Sequence, residues 1–169
     1  MAGNTFKPGN TTFYIGAASA VPSSCTNIST YVTSFGRNGG DSKHDPIYLF
    51  GNAQIDKVSP RDQFEATFDV IVQNDSPMCF DAFMLGAAIT SSTMESSATS
   101  IPLVIYAQQL EGTVYRSIGM NNCYAKFEES ASAEEYVKGT LTVTCSAMTS
   151  SATSNVKLAK AAATAITFP

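Results

Sequence analysis

Alternation of apolar and polar positions is the dominant signal in this chain, and it is sharpest between Asn122 and Ala147. Cys123, Ala125 and Phe127 alternate with Tyr124, Lys126 and Glu128; further on, Val137, Leu141, Val143 and Cys145 alternate with Tyr136, Lys138, Thr142 and Thr144. A period of two gives each strand one apolar and one polar face. The Thr- and Val-rich run Thr140–Thr144 suits a pleated surface better than a helix. The pattern predicts a long hairpin whose tip carries Glu128, Glu129, Glu134 and Glu135 around the small-residue link Ser130–Ala133.

The same period recurs over residues 63–73, where Phe64, Ala66, Phe68, Val70 and Val72 line one face against Glu65, Thr67, Asp69 and Gln73. Two more strands are expected at Leu103–Gln109 and Thr113–Ile118, joined by a turn at Glu111-Gly112. Weaker strand signals lie at Phe13–Ile15, at residues 25–35, and at Ile47–Ile55, which Gly51 interrupts. One helix is expected: Asp75 or Ser76 can cap it, Pro77 fits its first turn, and Cys79, Phe80, Phe83, Met84 and Ala87 recur at three and four. Residues 36–46 hold three glycines and a terminal proline, which predicts an exposed loop without regular structure. Thr90–Ser100 and Ser146–Asn155 read as polar spacers. The expectation is therefore one mainly β domain over residues 1–169, a β-sandwich or open barrel with one short α-helix. Residues 1–24 and 148–169 are expected to be N- and C-terminal arms; periodicity leaves the tail from Val156 open between helix and strand.

Composition narrows what such a domain does. Charged residues make up only 14% of the chain, which suits a surface that meets protein better than that of a self-repelling monomer. A net charge of −4 with ten scattered basic residues argues against a protein that grips phosphates, which takes clustered Lys and Arg. No stretch reaches the ~18 apolar residues of a membrane helix, and no basic region followed by an apolar run marks an N-terminal secretion signal.

The four cysteines, Cys25, Cys79, Cys123 and Cys145, form no CxxC pair and are joined by a single histidine, His44, so no zinc set is expected. Free buried thiols are the expectation, although a cross-strand Cys123–Cys145 disulfide is geometrically conceivable on the predicted hairpin. Ser42, His44 and Asp45 lie too close together on a glycine-rich stretch to align a nucleophile, base and orienter. Glu65 and Asp69 share a polar face without a companion acid or base. No enzymatic role, metal or cofactor is expected.

The long strand QFEATFDVIVQ leading into NDSPMCFDAFML, together with the terminal hairpin NCYAKFEES…EEYVKGTLTVTCS, resembles the major tail tube proteins of tailed bacteriophages, whose fold is shared with the type VI secretion tube. The resemblance covers residues 47–147. It implies a virion tail protein made in the host cytoplasm, assembling as hexameric rings stacked into a tube through which DNA passes without being bound. It also implies contacts with other tail proteins such as the tape measure and the terminator, and no membrane or cofactor. Glu65, Asp69, Glu128 and Glu129 would face the lumen, since an acidic or neutral wall does not brake DNA. Lys126 and Lys138 do not match such a wall. Arg37, Asn38, Asp41, Lys43, His44 and Asp45 would reach a neighbouring ring. The alternatives are a capsid decoration or head–tail joining protein and, in another class, a carbohydrate-binding or adhesin β-sandwich, which the lack of tryptophan weakens.

Overall fold

The computed structural model describes residues 8–39, 44–48, 54–58, 63–72, 102–133, 135–145, 154–162 and 166–168. Its strands are β1 (Thr11–Ala17), β2 (Thr26–Asn27), β3 (Val32–Gly39), β4 (His44–Tyr48), β5 (Gln54–Val58), β6 (Phe64–Ile71), β7 (Leu103–Glu111), β8 (Val114–Ser130), β9 (Lys138–Cys145) and β10 (Val156–Ala162). All pairings among the described strands are antiparallel, and the chain is mainly β as expected. The spatial order is β2-β1-β7-β8-β9-β6-β3, with β10 also on β8 and β4-β5 as a separate pair.

β8 organises the rest. Its 17 residues span two strands' worth of sequence: the first part pairs with β7 and β10, and the part from Tyr124 onward pairs with β9. The changeover falls at Asn121–Asn122, where the β7 register shifts and Asn122 takes φ 52°. Asn tolerates that left-handed conformation better than most residues. Side chains hold it there: Asn121 Oδ1 accepts from the Ser19 backbone N at 2.8 Å, and Asn122 Nδ2 donates to Asn155 Oδ1 at 2.9 Å. The long strand thus belongs to two layers, β2-β1-β7-β8-β10 and β8-β9-β6-β3.

The layers close face to face over one core. Ile15, Leu103, Ile105 and Met120 from the first meet Ala66, Phe68, Val70, Leu141 and Val143 from the second. Phe13, Phe35 and Phe68 form an aromatic centre with ring centroids 5.0–5.6 Å apart, a spacing at which tilted and edge-on rings attract. The inward residues of β6 and β9 are those the alternation selected.

Three expectations change. Residues 36–39 of the expected irregular loop belong to β3, because pairing with β6 satisfies their backbone groups despite two glycines. His44–Pro46 likewise belong to β4. Residues 1–24 are no free arm in their described part: β1 pairs over its full length with β7. The described part of the expected C-terminal arm is also integrated: β10 pairs with β8, and Ile166 and Phe168 cover Val104 and Tyr106 on the outer face of the first layer in a second apolar cluster. The expected helix at 77–85 lies outside the described residues.

Candidate assembly surfaces

The outer face of the second layer is the surface on which the predicted lumen residues can be placed. Register aligns Asn38, Glu65, Thr144 and Tyr124 in one row across β3, β6, β9 and β8; Gly36, Thr67, Thr142 and Lys126 form the next. Ser34, Asp69, Thr140 and Glu128 form the third. Strand alternation therefore puts Glu65, Asp69 and Glu128 on one polar face. It puts Glu129, opposite Gly139, on the other. The four carboxylates proposed for one wall do not share it.

This face is hydroxyl-rich and nearly balanced in charge. Asp69 Oδ1 accepts from Thr140 Oγ1 at 3.1 Å, and its other carboxylate oxygen accepts from Ser34 Oγ, so three neighbouring strands are tied through one side chain. Lys126 sits 2.7 Å from Glu128. At the end of the hairpin Lys138 pairs with Glu135 at 2.9 Å, and that hydrogen bond and charge hold the Glu135 carboxyl below its usual range. Both pairs are largely exposed, so their role is to cancel charge more than to stabilise the fold. Lys126 and Lys138, which did not fit an acidic wall, neutralise it locally.

The residues expected to reach a neighbouring ring separate into groups. Arg37 and Asn38 are exposed on β3; His44 and Asp45 are on β4, opposite Val58 and Lys57 in the β4–β5 pair. Asp41 and Lys43 lie outside the described residues, as does Ser42 of the rejected catalytic group. The β4–β5 hairpin is inserted between β3 and β6 where Gly39 opposes Phe64. Gly39 has φ 99°, and a Cβ there would collide with the Gln63 carbonyl oxygen, so the entry to this insertion requires glycine.

A further surface element was not anticipated. Arg116, at an inward-facing position of β8, lines a notch with Arg37, Leu158 and Ile118 where the edges of the two layers face each other. Leu158 is 62% exposed on β10. The alternation in Thr113–Ile118 carried the inward position of Arg116, but the expectation of a terminal arm hid the strand beside it. Among the described residues no cluster of three or more His, Cys, Asp or Glu side chains could hold a metal.

No protein-family model and no curated protein matches this chain. Solved structures do resemble it. A chain in the structure of the anti-feeding prophage tube-terminating cap superposes with a TM-score of 0.57 at 12% identity, over 95% of both chains. One in the sheath/tube terminator of an extracellular contractile injection system gives 0.57 at 11%, over 95% of this chain and all of the other. One in the virion of a native gene transfer agent gives 0.53 at 4%, over 92% and 100%. At these identities the likeness is one of fold: the chain has a fold that also occurs in contractile injection systems and in a gene transfer agent particle.

Proposed function

We propose that this chain is a structural subunit of a phage-tail-like particle, forming hexameric rings that stack into the tail tube and leave a channel for DNA. The observation that carries this reading is the reach of the fold likeness, which takes in 92–95% of this chain and nearly all of each matched chain. A partial likeness would reflect only a common β-sandwich. The Thr- and Ser-rich face of the second layer suits a channel wall, because its few carboxylates repel phosphates and its two lysines are paired with carboxylates. In this reading Glu65, Asp69 and Glu128 face the lumen and Glu129 does not. Arg37, Asn38, His44 and Asp45, with Asp41 and Lys43, lie towards the next ring.

The test is assembly of the purified chain. Negative-stain images at high concentration should show six-fold rings or tubes, and sedimentation should show mass rising with concentration. A chain that stays monomeric under all these conditions sinks the reading. A second reading, a tube-terminating subunit, is favoured by one fact: two of the matched structures are terminators. Copy number per particle separates the two, since tube copies scale with tail length and terminator copies stay at one ring.

A further inference from the structure

Cys123 and Cys145 are both in the main core, 0% and 3% exposed, and both are free thiols. The β8–β9 register pairs Tyr124 with Thr144, so the next position sets Cys123 directly opposite Cys145. The two thiols influence each other in opposite directions, Cys123 holding its proton more tightly and Cys145 less tightly. Directly opposed residues in an antiparallel pair have Cα atoms ~4.5–5.5 Å apart, inside the ~4.4–6.8 Å span of a disulfide. On its other side Cys123 pairs with Leu103 of β7, and Cys145 pairs with Phe64 of β6. The two thiols therefore stand at the seam where β8 passes from one layer to the other.

We propose that Cys123 and Cys145 are an oxidation site, a dithiol that closes to an intramolecular disulfide when a low-mass disulfide is the oxidant. The thiolate of Cys145 attacks one sulfur of the oxidant, breaking its S–S bond and releasing one thiolate. Cys123 loses its proton and attacks Cys145 Sγ, expelling the second thiolate. Two protons leave the pair, and its two electrons end on the two released thiols. Neither position needs to move far, so the bond adds a covalent link across the seam while the register is kept.

Burial makes the site slow to react. Cys123 has its pKa pushed well above the usual thiol value because its S–H donates to the Cys145 sulfur and because it is desolvated. The same interaction lowers the pKa of Cys145, the attacking thiol, so the first step is limited by the access of the oxidant to a buried sulfur, and the closing step by formation of the Cys123 thiolate. The pair is a site that fills over long exposure to an oxidant, faster as pH rises.

The test uses the full chain carrying Cys25→Ser and Cys79→Ser, incubated with 2-hydroxyethyl disulfide near neutral and at alkaline pH. It is then quenched in acid, denatured, alkylated with N-ethylmaleimide and weighed intact. The expected product has lost the mass of two hydrogens and takes no alkylation. A proteolytic digest links the peptides of Cys123 and Cys145, and the oxidised chain melts roughly 5–10 °C higher. Closure should be faster at the alkaline pH. A persistent adduct of the oxidant on one thiol would overturn the proposal, as would two thiols that both remain open to alkylation. So would an oxidised chain that melts below the reduced one. If the double variant does not fold, the digest of the wild-type chain reads the same link.

Discussion

Single residues hold this fold where the backbone departs from regular strand. Asn122, with φ 52°, carries the step of β8 between layers and bonds Asn155 through its side chain. Replacing it with Val puts a β-branched residue in the left-handed region and should cost about 2–3 kcal/mol in urea unfolding. Asn122→Gly relieves the backbone and should lose only about 1 kcal/mol, the worth of the side-chain bond. An equal loss in both would mean that the conformation is not what Asn122 supplies. Tyr106 is the other telling residue. Its hydroxyl donates to the Ala20 carbonyl at 2.8 Å, and burial first, then the charge of Cys25, pushes its pKa up to about 12 against a lowering by the Phe168 backbone. The fold thus favours the protonated phenol. Stability from this group is complete below the unfolded value near ~10 and is lost as pH rises towards the folded value. The melting temperature should fall across that alkaline window, and Tyr106→Phe should flatten the fall while lowering stability at neutral pH by about 1 kcal/mol.

At the scale of elements, strands with a clean period of two were legible. β6 and β9 each bury one residue set against a single core, and that one-sided burial writes alternation into the sequence, whereas β7 is buried on both faces between two apolar clusters and was legible as a continuous apolar run. β3, β1 and β10 were legible only in part, for different physical reasons. β3 ends in Arg37-Asn38-Gly39, whose turn-forming residues are overridden by pairing with β6. β1 has only the short apolar stretch Phe13–Ile15 before Gly16 and Ala17, and β10 is rich in alanine, so their full extent comes from partners about ninety and forty positions away in sequence. The opposite facing of Glu128 and Glu129 was legible from the same alternation that predicted the hairpin; grouping them by charge concealed it. The C-terminal segment yields a direct test. A Cβ at Gly119 would lie 2.8 Å from the Phe168 ring and 3.1 Å from Ile166. Gly119→Val should lift this segment from the sheet, so trypsin should cut at Lys157 while the β6–β9 part of the sandwich stays protected. Unchanged resistance at Lys157 would show that the segment adapts. In the main core, Phe68→Ala removes the ring that touches both Phe13 and Phe35, and should cost about 3–5 kcal/mol.

For the whole molecule, the proposed ring gives the polar face a job that the isolated chain does not need. Glu128→Lys should leave stability within about 0.5 kcal/mol, because Glu128 is an exposed residue at a strand end. It reverses a charge on the proposed wall, so particles assembled with it should release DNA more slowly; equal infectivity or transfer would remove Glu128 from the lumen. The continuity of β8 also has a consequence in time. Most pairings in the sandwich join distant positions, such as Thr11 with Gln109 and Ser34 with Asp69. Among the described strands only β7, β8 and β9 form a run of two successive hairpins, and β8 is the middle strand of that run. Closing short loops first is cheaper in entropy. The three-stranded run is therefore the natural nucleus, and the remaining strands arrive on a template that already has its bend. Core substitutions at Leu141 or Met120 should slow refolding, whereas those at Ile15 should mainly speed unfolding. Because the longest described strand is shared by both layers, neither layer can be completed without the other, and the two should melt in one transition followed alike by far- and near-ultraviolet circular dichroism.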